Sequence, residues 1–203
     1  LIPIIEEAFT SLSKGETVMP PIMRIDIEKY HGESDVKAAY IDGLDSFAIK
    51  IASGFFDNPK LGLPSSNGLM VLLDSETGVI KSVLLDEGYL TDTRTAIAGA
   101  IASKYLSNHD ANTVGIIGAG IQARLQLKAI LLVRKINKIN LWARDKVKVD
   151  EFIDSLKDLN IDINISDSCK DLASSSDIII TTTPSKKPLL EFETLFLSLF
   201  IFF

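Results

Sequence analysis

The most specific chemistry in this sequence sits in Gly118-Ala119-Gly120-Ile121-Gln122-Ala123. The hexamer fits G-x-G-x-x-A, follows the apolar run 113–117, and opens a helical pattern. That strand–turn–helix context gives the spacing its meaning. Gly118 permits a sharp turn off the strand, and Gly120 leaves room for a pyrophosphate against the backbone. Small Ala123 lets helix and strand pack closely. Free N–H groups and the positive end of the helix dipole would then face the phosphates. The expected ligand is a dinucleotide.

In such folds the end of the second strand often carries an acid for the adenosine ribose. Here that place reads Trp142-Ala143-Arg144-Asp145. With no carboxylate at the strand tip and an arginine just beyond it, the 2′-phosphate of NADP can be accommodated. The competing reading makes Arg144 a solvated charge at a helix start. The cofactor expected is NAD(P)(H), with a lean to NADP(H). No metal site is expected: His31 and His109 lie far apart without a Cys or acidic ligand pattern, and Cys169 stands alone. A single cysteine also excludes an intrachain disulfide and fits a reducing, cytoplasmic setting.

These residues need a fold to hold them, and 203 residues suffice for one large domain or two small ones. At 46% hydrophobic and 24% charged, the chain can bury a core. Its 21 basic against 27 acidic residues give a net charge of −6, which argues against nucleic-acid and anionic-membrane partners. Residues 3–15 carry a helical rhythm (Ile5, Ala8, Phe9, Leu12) that Gly15 can end. From 18 to 85 the texture is β-rich, with strands predicted at 36–41, 46–52, 68–74 and 79–85 and a hairpin turn at 75–78. The stretch 53–67, SGFFDNPKLGLPSSN, reads as a binding loop or as a solvated excursion.

An alanine-rich helix is predicted over 91–106, capped by Thr91 or Asp92. Strands at 113–117, 138–142, 161–166 and 177–182 then alternate with helices at 121–133 and 145–159. Such alternation means a parallel, doubly wound sheet. The expected fold class is α/β: a Rossmann-like doubly wound parallel sheet, incomplete, preceded by a β-rich α+β substrate and dimerisation domain. The expected domains are 1–106 for substrate and dimerisation, 107–194 for the dinucleotide, and 195–203 as an aberrant apolar tail. That tail, LFLSLFIFF, is too short to cross a bilayer and would be sticky as a bare strand.

Four segments together resemble the ornithine cyclodeaminase/mu-crystallin family. They are PPIMRID at 20–26, SFAIKIASGFFDNPKLGLPSSNGLMVLLDSETG at 46–78, YLTDTRTAIAGAIASKYL at 89–106 and TVGIIGAGIQARLQL at 113–127. The likeness runs from about 18 to 193, and the second segment is most similar to the subgroup found with ectoine utilisation and hydroxyaspartate metabolism. The resemblance implies a nicotinamide dinucleotide on the second domain and a small amino or imino acid held between the domains, in a homodimer when full length. It assigns Arg24, Lys50 and Arg94 to the substrate, with Lys50 and Arg94 catalytic. To the cofactor residues Gly118, Ala119, Gly120 and Arg144 it adds Ser66, Arg94, Ile121, Gln122 and Thr183. Converging cations suit an α-carboxylate, which arginine can grip with two hydrogen bonds. Like charge around Lys50 would favour its neutral amine and help it relay a proton.

One departure stands out. The family's aspartate beyond the next strand, which takes part in substrate binding and proton transfer, has no counterpart, because Leu190-Glu191-Phe192 leads into the apolar tail. The sequence is therefore read as C-terminally truncated, and the lack of an initiator Met places the true start upstream. The chain as given is expected to be inactive or poorly folded, although the intact product is an enzyme. Of the family's chemistries, the strand tip and the subgroup likeness favour hydride transfer at the α-carbon of an amino or imino acid. The alternatives are a cyclodeaminase, which needs a carboxylate for a distal ammonium, and a non-enzymatic crystallin-like protein binding NADPH and a small ligand.

Overall fold

The computed structural model describes residues 1–191 and, for the backbone alone, 200–202. The chain divides into two compact units, Leu1–Thr93 and Arg94–Phe203. The first opens with helix α1 (Ile2–Lys14), which has a proline in its first turn and ends where Gly15 turns left-handed at φ 77°. An antiparallel sheet follows, built from β1 (Thr17–Val18), β2 (Met23–Ile27), β3 (Gly32–Ile41), β4 (Ser46–Phe55), β5 (Ser66–Asp74) and β6 (Ile80–Leu84). Its order is β1-β3-β4-β5-β6, with β2 also beside β3. The sequence reading had no strand at 23–27.

Backbone pairing of β4 with β5 continues through Gly54 and Ser66. The expected loop at 53–67 therefore shrinks to 56–65, with a 3₁₀ turn at Asn58–Leu61. Asp57 ties that turn to His31 Nδ1 at 2.6 Å and to Lys60, while the Asn58 amide donates to the Pro64 carbonyl at 3.0 Å. The hairpin at 75–78 is organised by Asp74, which accepts from the Glu76 and Thr77 N–H groups and from Thr77 Oγ1. Lys81 and Thr77 hold the Asp74 carboxyl well below the usual carboxylate range.

Helix α2 (Tyr89–Leu106) connects the units in sequence. Its start is held by Asp86, which accepts the Leu90 N–H at 2.7 Å, rather than by Thr91 or Asp92. Buried Ala96 and Ala100 belong to the core of the second unit. A helix expected to close the first domain thus contributes its packing to the second.

The second unit runs β7 (Thr113–Ile117), α3 (Ile121–Ile130), β8 (Lys138–Trp142), α4 (Lys146–Asp154), β9 (Asp162–Ile165), α5 (Cys169–Ser174), β10 (Ile178–Thr181) and β11 (Phe200–Phe202). Its sheet is parallel throughout, in the order β11-β10-β7-β8-β9. Strands covered on both faces must be nearly all apolar, and Val114, Ile116, Ile117, Ile139, Leu141 and Ile178 are fully buried. The one buried amide among them, Asn140, donates to the Ser175 carbonyl at 2.8 Å and accepts from Asn164. Short α5 was not predicted; Ser168 caps it by accepting the Asp171 N–H. Of the expected aberrant tail, 195–199 and 203 lie outside the described residues. For 200–202 the backbone pairs in parallel with Ile178, Ile179 and Ile180. Among the described residues, no helix is long and apolar enough to cross a membrane.

Candidate functional site

Strand order fixes where a ligand can meet the second unit. From β7 the chain winds through β8 to β9 on one side, then crosses to β10 on the other. Ligands of open α/β sheets bind outside the carboxyl ends of the strands at such a switch point. The glycine turn leaves β7 at that edge. Gly118 has φ +112°, and a Cβ there would lie 2.7 Å from the Thr182 carbonyl oxygen. Only glycine meets both demands. Its N–H donates to the Trp142 carbonyl at 2.8 Å, which ties the turn to the end of β8.

Gly120 caps α3, has no side chain to satisfy the first-turn N–H groups, and is exposed. A Cβ on Gly120 would meet nothing within 4 Å. The backbone there faces open space large enough for a phosphate to approach. Ala119 is buried, Gln122 is half-buried, and Ile121 is 57% exposed at the mouth of the turn. Thr183 follows β10 at the same edge and accepts the Ser185 N–H. Its neighbour Thr182, which the sequence reading passed over, stands closer to the turn. The Thr182 Oγ1 is buried and has no partner among the described residues, although it lies within 3.0 Å of the place a Gly118 Cβ would occupy. A buried hydroxyl without a partner is costly unless a ligand or water completes it.

At the tip of β8, Asp145 is used up as the N-cap of α4, accepting the Val147 and Lys148 N–H groups. Arg144 is exposed beside it. Arg94 lies near the start of the α2 segment of this unit; burial lowers its guanidinium pKa from the ordinary value even though part of the side chain reaches the surface. Gly118, Ala119, Gly120, Ile121, Gln122, Arg144 and Thr183 thus share one edge of one sheet. These residues fit a dinucleotide: a glycine-shaped cradle, a helix start without a side-chain cap and a buried hydroxyl with no partner among the described residues.

The nominated residues of the first unit meet on a sheet face. Directly paired residues of antiparallel strands point to the same side, as do residues two apart along a strand. Arg24 pairs with Asp35, Lys37 with Lys50, Lys50 with Met70, and Gly54 with Ser66. Arg24, Lys50 and Ser66 therefore share one face, together with Asp26, Glu33, Asp35 and Lys37, none of which the sequence reading singled out. Their signal was visible as charge at every second position, in Arg24-Ile25-Asp26 and in Glu33-Ser34-Asp35-Val36-Lys37. The opposite face carries Val36, Ile49, Ile51, Leu69 and Val71.

Arg24 is not a loose cation. It is bonded to Asp26 at 3.0 Å and to Glu33, and the Asp26 hydrogen bond is the main cause raising its pKa. Asp35 pairs with Lys37 at 3.1 Å through one oxygen, and its other oxygen is buried with no partner among the described residues. Cys169 is buried and desolvation raises its thiol pKa, as suits a structural side chain. Trp142 packs beside Ile117, Cys169 and Leu172.

Comparison with known proteins adds the following. The profile of the ornithine cyclodeaminase/mu-crystallin family matches residues 1–196. An uncharacterized cyclodeaminase of Sinorhizobium fredii is 53% identical over 187 residues, which is 91% of this chain and 56% of that protein. The structure of Thermococcus litoralis Δ1-pyrroline-2-carboxylate reductase, in complex with NADH and L-proline, matches with a TM-score of 0.91 at 32% identity, over 98% of this chain and 62% of its own. An archaeal alanine dehydrogenase dimer with bound NAD matches with a TM-score of 0.88 at 30% identity, over 98% of this chain and 60% of its own. The chain therefore spans roughly three-fifths of the length of the proteins it matches.

Proposed function

The chain belongs to the ornithine cyclodeaminase/mu-crystallin family, and from that premise we propose that its protein is a nicotinamide-dependent oxidoreductase acting at the α-carbon of a small amino or imino acid. The observation that carries the reading is the turn at Gly118 and Gly120, where one glycine is sterically compelled and the other opens onto space at a helix N-terminus. Relatives of similar fold hold NADH with L-proline, or NAD.

When bound, the nicotinamide supplies a hydride to the imine carbon while the imine nitrogen gains a proton, so that NAD(P)H becomes NAD(P)⁺ and the imino acid becomes an amino acid. The first-turn N–H groups of α3 hold the pyrophosphate, with the Thr182 hydroxyl as a further donor. Exposed Ile121 offers an apolar wall to the ring system. Arg24 and Lys50, on one face of the first unit, take the α-carboxylate, and Lys50 relays the proton to nitrogen. Arg144 receives a 2′-phosphate, because Asp145 is engaged as a helix cap and Trp142-Ala143-Arg144 brings no carboxylate to the end of β8. The protein works as a homodimer in a reducing, cytoplasmic setting.

A cyclodeaminase is the second reading. It is favoured by the name of the Sinorhizobium relative and by the unpartnered oxygen of Asp35, a carboxylate for a distal ammonium on the face of Lys50. One pair of assays separates the two. Stoichiometric loss of NAD(P)H with an imino acid supports the reductase, and ammonia release from a diamino acid with catalytic NAD⁺ overturns it. Tighter binding of NADH than NADPH would remove the role given to Arg144.

A further inference from the structure

Between β6 and α2 the chain turns through Asp86, Glu87 and Gly88, and two consecutive residues there are left-handed, Glu87 at φ 52° and Gly88 at φ 90°. Both ends of the turn are pinned. Asp86 accepts the Leu90 N–H, and buried Gly88 lies so close to β5 that a Cβ on it would stand 3.6 Å from the Asn67 backbone. The left-handed shape at 87 is thereby imposed, and glycine or asparagine would adopt it with less crowding than glutamate. The Glu87 carboxylate does not offset that cost within the turn, because it is exposed and has no partner among the described residues. Beside it is a hollow of about 280 Å³, with Ile51, Leu69 and Leu85 as its apolar lining and Ser53 and Asn67 as its polar one. Ile51 pairs with Leu69 and Ser53 with Asn67, so these four share a face. Strand alternation sends Glu33, Asp35, Lys37 and Lys50 to the opposite face. Among the described residues, Glu87 is thus the one ionisable group lining the hollow, an apolar trough with a negative rim.

We propose that this hollow binds a short primary alkylammonium ion, at a site separate from the charged face that carries Lys50. The alkyl chain lies on Ile51, Leu69 and Leu85, and the nitrogen donates to the Glu87 carboxylate and to the Ser53 hydroxyl. Ser53 Oγ is 3.0 Å from Ser34 Oγ, and a hydroxyl keeps a free lone pair whichever of the two donates. Hydrogen bonds with an ionised partner are the stronger ones. The volume is at the small end of ligand sites, which suits an unbranched amine rather than a dinucleotide. An amino acid fits less well, since among the described residues no cation lines the hollow to take its carboxylate. The strain at Glu87 then has a reason: a ligand, not the turn, needs its side chain.

Calorimetric titration of hexylamine into the full chain in low-salt buffer, with hexanol and hexanoate as controls, tests the site. Hexylamine is expected to bind saturably at neutral pH and at least about tenfold more tightly than either control, and to lose about tenfold in affinity in Glu87→Gln. Glu87→Gly should show the same loss while melting about 2–4 °C higher, because it relieves the left-handed glutamate. Equal binding of hexylamine and hexanol, a Glu87→Gln variant that keeps the affinity, or no saturable binding overturns the proposal. So does a Glu87→Gly variant that melts lower, since the side chain would then belong to the turn.

Discussion

Among the described residues, every fully buried apolar side chain belongs to the parallel-sheet unit, from Ala96 onward, whereas Ile25, Val83 and Leu84 of the antiparallel sheet remain 50%, 54% and 39% exposed. The two units hold their candidate chemistry in correspondingly different ways. In the second, a dry core fixes a turn whose useful groups are backbone N–H groups, and a misplaced turn has no side chain to compensate. In the first, ladder register aligns Arg24, Lys37, Lys50 and Ser66 on one face, and the adjustable parts are long side chains held by ion pairs. Burial makes the dinucleotide cradle rigid; register makes the charged face specific.

The largest expected effect falls on the charged face. Lys50→Gln should lower kcat/KM by roughly 10²–10⁴, the usual range for a lost general acid or base, while NAD(P)H affinity stays the same in a fluorescence titration. A parallel loss of cofactor binding would mean that the two units do not divide the work in this way. Next comes packing. Leu127→Ala in the dry core should cost about 3 kcal/mol, and Leu84→Ala on the open sheet less than about 1 kcal/mol, both read by denaturant unfolding. Equal costs would dissolve the contrast.

Gly118→Ala should destabilise the protein by about 2 kcal/mol through backbone strain at positive φ and the clash with the Thr182 carbonyl. Thermal melting would show it. The smallest effect concerns pH. Asp74 is held below its ordinary range by Lys81 and Thr77, so its stabilisation is present above the unfolded carboxyl value and declines as pH falls below about 4. Lys81 is raised, mainly by its hydrogen bond to Asp74, so its contribution persists below the unfolded lysine value and is lost as pH rises through the higher folded one. Asp74→Asn should therefore melt slightly lower than the unaltered protein at pH 7, with the gap narrowing in acid. A gap that widens in acid would contradict the assignment.

Legibility in the sequence followed the same division. The strands Thr113–Ile117 and Lys138–Trp142 stand where they are predicted, because burial on both faces demands apolar side chains at nearly every position, Asn140 being the hydrogen-bonded exception. On the open sheet, strand β2 escaped notice because Pro20 and Pro21 precede it and charged residues alternate along it. Gly54 and Asn67 suggested a longer loop than exists, since backbone pairing carries both into strands. Helix α5 spans only Cys169–Ser174, too short for a helical period, yet Ser168 and Asp171 three residues later held its capping signal. Thr182 was hidden for a different reason. Its proximity to Gly118 arises from the crossover of β10 to the far side of β7, and no local pattern encodes that.

The dinucleotide cradle is tested most directly by calorimetric titration of NADPH and NADH into the protein and into its Gly120→Ala variant. Because a methyl group at that position meets no protein atom, the variant should melt like the parent yet bind the dinucleotide at least about tenfold more weakly, since it occupies the space the pyrophosphate needs. Unchanged affinity in a normally folded variant, or no dinucleotide binding by the parent, would contradict the account.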